Sequence, residues 1–184
     1  MLVIGITGTL GAGKGTVVEH LVKDHGFRHY SVREFLLKEI EKQGLPPNRD
    51  SMVKVANALR AQHTPYYIIS ELYQQAVKNG KDAVIESIRT PGEVEFLRQQ
   101  ENFILIAVDA DPHLRYERIK QRNSETDRID FETFVENERR EMTAKDPNKQ
   151  NLQKCIQMAD FKFMNNGTVQ ELIYQVDEKL FGQR

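Results

Sequence analysis

The sequence predicts a three-layer α/β fold, in which helices cover both faces of a five-stranded parallel sheet. Three observations lead to this prediction. Short apolar runs alternate along the chain with longer segments of helical periodicity. The apolar runs are continuous, which is typical of strands that are buried on both faces. A glycine-rich loop, residues 8–16, joins the first run to the first helix. We expect all 184 residues, 1–184, to form one domain.

Five segments are predicted as strands. Residues 2–7, Leu-Val-Ile-Gly-Ile-Thr, form the first strand, and the apolar runs 83–87 and 103–110 form the third and the fourth. The second strand, 27–31, and the fifth, 161–164, are shorter and include polar residues.

The predicted helices are marked by apolar residues at spacings of three and four and by residues that favour helix ends. The first helix follows the glycine loop and ends at Gly26. Ser31 caps the second, and Asp50 caps the third. A fourth helix runs from Pro65 to Gly80. Further helices are predicted at 112–122, 131–144, 150–158 and, with the best amphipathic pattern in the chain, 169–180.

Composition favours an enzyme for small molecules over a protein that binds nucleic acid or membrane. The formal net charge is −1 with 29% charged residues, so we expect no basic surface for nucleic acid. No apolar run approaches the roughly 20 residues of a membrane span, and the first residues resemble a core strand rather than a signal peptide. Cys155 is the only cysteine, and we expect it to be a packing residue. We therefore expect a cytoplasmic protein that is a monomer or a homodimer.

The loop Gly-Thr-Leu-Gly-Ala-Gly-Lys-Gly-Thr is predicted to bind phosphate groups. It nearly fits the pattern G-x-x-x-x-G-K-[ST], but Gly15 follows Lys14, and the hydroxyl comes one residue later at Thr16. Between a strand and a helix, the backbone N–H groups of such a loop and the positive end of the helix dipole converge on an anion. Lys14 adds a positive charge for the terminal phosphates. The alternative is an ordinary glycine-rich turn.

Acidic residues end two of the predicted strands, at the edge where ligands bind in open α/β sheets. Glu86 ends the third strand, and Asp109 and Asp111 follow the fourth. Asp111 precedes Pro112, a pattern typical of a helix cap. We therefore expect Glu86 and Asp109 to approach the phosphates and a magnesium ion, with loop solvation as the alternative.

Arginines are frequent after the fourth strand. Arg115, Arg118 and Arg122 share one face of a predicted helix, where like charges cost roughly 0.2–0.5 kcal/mol per pair. Asp111 can pair with Arg115, which leaves Arg118 and Arg122 without an obvious local partner. Further along the chain lie Arg128, Arg139 and Arg140. Phosphoryl transfer requires neutralisation of charge on the moving group, so this set is predicted to surround it. A solvated basic face is an equal alternative for Arg115 and Arg140.

These features resemble the P-loop nucleoside monophosphate kinases, and especially the small adenylate-kinase-related proteins that are often called dephospho-CoA-kinase-like. Adenylate and UMP/CMP kinases carry G-x-P-G-x-G-K-G-T, so Gly15 matches that family's own variant. Dephospho-CoA kinases usually carry serine or threonine there. The resemblance implies a P-loop NTPase fold with strand order 2-3-1-4-5 and ATP as the donor. It also implies magnesium (Mg2+) held largely through water, with Thr16, Glu86 and Asp109 as the candidate residues.

The resemblance further implies roles for individual residues. Arg89 in Glu86-Ser87-Ile88-Arg89 matches the arginine of the D-G-x-P-R element and would hold the acceptor phosphate, with Glu86 beside it. Residues 123–130 would form a short lid without zinc. The catalytic set would be Lys14, Arg118, Arg122, Arg128 and Arg139. ATP would contact Gly8, Thr9, Leu10, Gly11, Ala12, Gly13, Lys14, Gly15, Thr16, Asn166 and Gly167.

The resemblance is uneven in the acceptor region, which would comprise residues 31–80. Leu10 replaces the proline of the glycine loop, Glu86-Ser87 replaces an aspartate–glycine pair, and Leu37 stands where adenylate kinases carry an arginine. The acceptor therefore need not be AMP. Candidates to contact the acceptor or to shape its pocket are Arg33, Arg60, Asn57, Tyr66 and Tyr67.

The sequence thus predicts an ATP-dependent phosphotransferase that acts on a nucleoside or deoxynucleoside monophosphate. Two alternatives stay open. A dephospho-CoA kinase-type enzyme would phosphorylate a sugar hydroxyl, and that reaction needs a general base. A slow ATPase that acts as a nucleotide-dependent binding switch would need no acceptor pocket.

Overall fold

The computed structural model describes residues 1–122 and 129–182. Strands and helices alternate along the chain, as the sequence predicts. The strands are β1 (Val3–Gly8), β2 (Arg28–Ser31), β3 (Ala83–Glu86), β4 (Phe103–Asp109) and β5 (Phe161–Met164). The helices are α1 (Lys14–Lys23), α2 (Val32–Lys42), α3 (Arg49–Gln62), α4 (Tyr67–Asn79), α5 (Pro91–Arg98), α6 (Pro112–Arg122), α7 (Phe131–Met142), α8 (Leu152–Met158) and α9 (Val169–Leu180).

The five strands form one parallel sheet with the order β2-β3-β1-β4-β5, which confirms the predicted topology. β1 is central: Gly5 pairs with Ile85 of β3 on one side and with Leu105 of β4 on the other. Because the strands are parallel, the carboxyl ends of β1, β3 and β4 lie at one edge of the sheet. This edge brings the glycine loop close to Glu86 and Asp109.

Two apolar cores lie on opposite faces of the sheet, because alternate residues of a strand point in opposite directions. Val3, Ile85 and Leu105 contribute to the first core, against α2, α3, α4, α5 and α8. Ile4 and Ile106 contribute to the second, against α1 and α9. The arrangement is the predicted three-layer fold. Within the described ranges, no helix combines the length and the apolar character that a membrane crossing requires.

Two details differ from the sequence-based expectation. The pattern did not predict α5, because this helix has only 8 residues and begins with Pro91-Gly92, which is typical of a turn. Thr90 caps it in a reciprocal capping box with Glu93. The cap of α3 is Asn48, not Asp50, since the Asn48 side chain accepts from the N–H of Ser51. Most of the predicted lid, 123–130, lies outside the described residues, because these do not include 123–128. The predicted role of Arg128 falls in this part of the chain.

Candidate functional site

The glycine loop between β1 and α1 is a cradle of backbone N–H groups. Gly8, Gly11 and Gly13 all have positive φ angles, of 138°, 78° and 100°. A side chain at Gly11 would lie 2.5 Å from the carbonyl oxygen of Arg115, and one at Gly13 would collide with Asn165. Glycine is therefore required at these two positions by conformation and by space. The loop leads directly into the N-terminus of α1, where an anion is favoured.

Lys14 folds over this cradle. Its Nζ donates to the carbonyl oxygens of Gly8 and Thr9, at 2.9 and 2.7 Å. Burial and the nearby charge of Arg89 lower the pKa of Lys14 from its usual value to about 7. The loop offers the Lys14 ammonium group only carbonyl oxygens, which carry no full negative charge. A bound phosphate would add a negative charge beside it and so stabilise its charged form.

A cleft of about 640 Å³ opens in front of the loop, a size that suits a nucleotide-sized ligand. Its floor is apolar on the side of α2 and α3, where Val32, Leu36, Met52, Val53 and Ala56 contribute. Its rim is basic. The arginines that line it come from four different parts of the chain, namely α2, α3, the loop after β3 and α6: Arg33, Arg49, Arg60, Arg89, Arg118 and Arg122.

A buried carboxylate organises two of these arginines. Glu141 on α7 accepts from Arg49 NH2 at 2.7 Å and from Arg89 NH1 at 2.8 Å. Arg89 NH1 also donates to Gln150, at 2.9 Å. Burial tends to raise the pKa of Glu141, but the charges of Arg89 and Arg49 outweigh it, so the pKa is lowered. The carboxylate is ionised at neutral pH and holds both arginines at the cleft.

The arginines after β4 have separate roles. Arg118 and Arg122 line the cleft, and Arg118 NH2 donates to the carbonyl oxygen of Asn165 at 2.9 Å. Arg118 NH1 is buried and has no hydrogen-bond partner within the described ranges. Arg115 is structural: it is buried and forms a double ion pair with Glu138, not with Asp111.

Arg139 lies outside the cleft, so the structure does not bring it together with the other residues of the predicted catalytic set. Its side chain is 78% exposed and pairs with Glu136 on the same helix at 2.9 Å. The spacing in the sequence placed it near the other arginines, but the orientation of α7 turns Glu141 inward instead. Arg140 is also outside the cleft, where it pairs with Asp50 at 3.2 Å.

Arg60 differs from the other predicted acceptor residues. It is buried against Glu93, to which Nε and NH2 donate at 3.1 and 2.8 Å. Glu93 in turn accepts from the N–H of Arg89 at 2.8 Å, so this ion pair supports the loop that carries Arg89. Arg33 lines the cleft on α2. Tyr66 and Tyr67 stack on Phe96 and His63, and neither lines the cleft.

The predicted magnesium residues fall into two groups. Glu86 and Thr16 line the cleft. Burial tends to raise the pKa of Glu86, but hydrogen bonds from His29 and Ser31 and the charge of Lys14 lower it overall. Asp109 does not line the cleft; its Oδ1 accepts from the hydroxyl of Thr9 at 2.5 Å and from the N–H of Ala110 at 2.8 Å. We conclude that Asp109 positions the glycine loop.

The segment expected to contact adenine, residues 165–168, lies partly at the cleft. Asn165, not Asn166, lines the cleft together with Gly167. Asn165 Nδ2 donates to the carbonyl oxygen of Ala12 at 2.9 Å, so it also fixes the glycine loop. The Asn166 side chain accepts from the N–H of Asp111 at 2.8 Å and serves the turn instead. Asp111 caps α6, as predicted.

Sequence comparison places this site in a known family. Residues 4–144 match the model of the AAA domain. The chain is 31% identical to a UPF0200 protein of Methanococcus vannielii, over 97% of this chain and 100% of that protein. It is also 31% identical to a UPF0200 protein of Methanocaldococcus jannaschii, over 98% of this chain and 89% of that protein. The chain belongs to the AAA domain family and to the UPF0200 family.

Solved structures with low sequence identity share the fold of this UPF0200 family member. TT1252 from Thermus thermophilus superposes with a TM-score of 0.64 at 18% identity, covering 100% of this chain and 98% of that one. Shikimate kinase from Aquifex aeolicus superposes with a TM-score of 0.57 at 14% identity, covering 99% of this chain and 98% of that one. A gluconokinase from Sinorhizobium meliloti superposes with a TM-score of 0.55 at 14% identity, covering 99% of this chain and 97% of that one. The chain therefore shares its fold with these solved structures, two of which are kinases.

Among the polar and charged residues of the cleft, sequence reasoning did not single out Arg49, Glu141 and Gln150, and it chose Asn166 in place of the neighbouring Asn165. Arg49 and Glu141 are 92 residues apart, so no local pattern joins them. Gln150 and Asn165 are polar residues in short loops, which the sequence alone does not separate from solvated positions. One signal was present for Glu141: it lies one residue past two arginines on a helix that was expected to face the cleft.

Proposed function

We propose that this protein is an ATP-dependent phosphotransferase, which transfers the γ-phosphoryl group of ATP to a nucleoside or deoxynucleoside monophosphate. The observation that carries the proposal is the composition of one cleft. It joins a phosphate-binding glycine loop, an apolar floor and a basic rim. These are the three surfaces that a nucleotide donor and a nucleotide acceptor together require.

The donor half of the proposal rests on the glycine loop. Backbone N–H groups of the loop and Lys14 bind the β- and γ-phosphates, and Asn165 and Gly167 line the adjoining part of the cleft where the adenosine lies. Thr16 and Glu86 are the cleft residues that would hold Mg2+, since both offer oxygen atoms and Glu86 is ionised. The ion supplies charge neutralisation for the phosphates when it is bound.

The acceptor half rests on α2 and α3. Leu36, Met52 and Ala56 present an apolar surface that suits the flat face of a nucleobase, whereas a sugar acid would need hydrogen-bonding groups there. Arg89 and Arg49 lie at the same cleft and suit the acceptor phosphate. The acceptor phosphate would bind beside Glu141, whose carboxylate already balances part of the positive charge of Arg89 and Arg49.

Transfer itself needs little covalent chemistry from side chains. An acceptor phosphate is already a nucleophile, so positioning and charge neutralisation are sufficient. Arg118 and Arg122 on α6 line the same cleft, and we assign to them the neutralisation of the moving group.

Glu86 favours a second candidate function, the phosphorylation of a hydroxyl group. Its ionised carboxylate lines the cleft close enough to Lys14 for the two charges to interact. A carboxylate in this position can act as a general base toward a hydroxyl. Because Glu86 would also hold magnesium in the first function, the acceptor itself separates the two functions: a phosphate acceptor needs no proton removed and a hydroxyl acceptor does.

A screen of acceptors tests the proposal. ADP release is measured with ATP and magnesium against a panel of nucleoside and deoxynucleoside monophosphates, dephospho-CoA, shikimate and gluconate, with the Lys14→Ala variant as the blank. Release that depends on one class of monophosphate supports the proposal. Release that depends on a hydroxyl acceptor favours the second candidate. Release that no acceptor accelerates indicates a nucleotide switch and contradicts the proposed transfer.

A further inference from the structure

A cluster of imidazole and carboxylate groups lies at the far end of α1, away from the glycine loop. His20 belongs to α1, His25 to the turn that follows, and Asp177 to α9. The ligand atoms of these three residues all lie within 4.8 Å of one another. The helical rise places His20 about 9 Å along the axis from Lys14. None of the three lines the cleft, and phosphoryl transfer has no use for them.

The two imidazoles converge on a single oxygen atom. Oδ1 of Asp177 lies 2.7 Å from His20 Nε2 and 2.9 Å from His25 Nε2. A tetrahedral zinc ion with ligands at about 2.0–2.2 Å separates its ligand atoms by roughly 3.3 Å. The two separations from Asp177 Oδ1 are therefore within about 0.6 Å of those that such an ion needs. The two imidazole nitrogens lie within 4.8 Å of each other.

Other residues already fix the orientation of both rings. Asp24 Oδ2 lies 2.6 Å from His20 Nδ1. A carboxylate at Nδ1 keeps a proton on that nitrogen, so Nε2 can become a ligand atom once it releases the proton that it shares with Asp177, an arrangement that recurs at zinc sites. The His25 ring stacks on Phe181, with ring centroids 3.8 Å apart and planes inclined by 15°. His20 is also buried, which limits its movement.

We propose that His20, His25 and Asp177 bind one divalent cation of the zinc class, through two imidazole nitrogens and one carboxylate oxygen. Water occupies the fourth position, since His25 and Asp177 are partly exposed. Imidazole ligands favour Zn²⁺ over Mg²⁺, which prefers oxygen. The ion connects the end of α1 with α9 and therefore has a structural role. The site is independent of the proposed phosphotransferase activity.

Metal titration of the full chain tests this site. Protein freed of metal with a chelator, without nucleotide, is titrated with Zn²⁺ against a chromophoric competitor. We expect one Zn²⁺ per chain, no displacement by excess Mg²⁺, and a melting temperature that rises with free Zn²⁺. Co²⁺ in the same site is expected to give the visible absorption bands of a tetrahedral complex.

Variants decide whether these residues are the ligands. His25→Gln removes one ligand while both His20 contacts stay, and we expect it to weaken Zn²⁺ binding at least tenfold. Asp24→Asn is expected to weaken it by about 10–100-fold, because the ring loses its orienting carboxylate. His63→Gln is the matched control, since His63 stacks on Tyr67 outside the cluster. No saturable binding by the wild-type protein, or equal binding by His25→Gln, overturns the proposal.

Discussion

Arg89 donates to Glu141 across 2.8 Å, although 52 residues separate them in the sequence. The second oxygen of Glu141 accepts from Arg49, so one carboxylate balances two arginines at the rim of the cleft. In the proposed reaction a phosphate group approaches these same arginines. Glu141 thus keeps them in place before an anion arrives.

The first prediction concerns this carboxylate. Glu141→Gln keeps one acceptor oxygen, turns the other into an amide donor that faces an arginine, and removes the countercharge. We expect the free energy of unfolding to fall by about 1–3 kcal/mol. Phosphate or sulfate is then expected to stabilise the variant more than the wild type, since the anion replaces the lost charge. Melting curves with and without phosphate measure both effects.

A matched control is available on the same helix. Glu136 is exposed and pairs with Arg139, so Glu136→Gln is expected to change stability by less than about 0.5 kcal/mol. If phosphate stabilises Glu141→Gln and wild type equally, Glu141 does not act as the countercharge of the phosphate site.

A second prediction follows from the pKa of Lys14, which burial and Arg89 lower to about 7. At pH 8 the group is about nine-tenths neutral in the free protein, whereas a bound triphosphate favours the charged form. ATP binding is therefore expected to take up about 0.9 proton at pH 8 and progressively less below pH 7. ATP affinity is expected to fall as the pH rises above 7, because binding takes up a proton and the proton concentration is then lower.

Calorimetry in buffers of different ionisation enthalpy measures this uptake directly. Lys14→Met is the control, and its binding enthalpy at pH 8 should not depend on the buffer. A wild-type enthalpy that is equally independent of the buffer would show that Lys14 is already charged in the free protein.

The positions of the strands and of the phosphate loop could be predicted from the sequence because their signals are local, whereas the strand order followed from the resemblance to P-loop kinases. Continuous apolar strands and the spacing of Gly8, Gly13 and Lys14 are readable within a few residues. The ion-pair partners of the arginines could not be predicted from the sequence, because they depend on how distant helices are oriented. Arg139 and Glu141 are two residues apart on α7, yet one faces solvent and the other the cleft. Residues two apart lie about 200° from each other around a helix, so the face that α7 turns toward the cleft decides which of them serves the site. The sequence pattern does not determine that face.

The third prediction compares two glycines of the loop. Gly13 has a φ of 100°, and a Cβ there would collide with the Asn165 amide, so Gly13→Ala is expected to lower stability by about 1–3 kcal/mol. Gly15 lies in the first turn of α1, and a Cβ there meets no atom within 4 Å. Gly15→Ala is expected to raise stability by up to about 1 kcal/mol, since alanine favours a helix. Chemical denaturation of both variants measures the contrast, and equal effects would contradict the loop geometry.

The last prediction separates binding of the acceptor from transfer. If Arg89 holds the acceptor phosphate before and during the reaction, Arg89→Ala raises the KM of the acceptor at least tenfold and leaves the KM of ATP nearly unchanged. Arg122 matters most while charge develops on the moving group, so Arg122→Ala lowers kcat more than it raises either KM.

Steady-state kinetics of both variants, with the acceptor that the screen identifies, measure this division. Arg139→Ala is the matched control: it is an exposed arginine outside the cleft, and we expect wild-type kinetics. Lost activity in Arg139→Ala would restore the role that the sequence assigned to it, through a movement of α7 that brings it to the ligand. In a nucleotide switch no acceptor phosphate exists, and Arg89→Ala then leaves ATP hydrolysis unchanged. Equal effects of Arg89→Ala on both substrates would refute its assignment to the acceptor, because only a group shared by donor and acceptor weakens both alike.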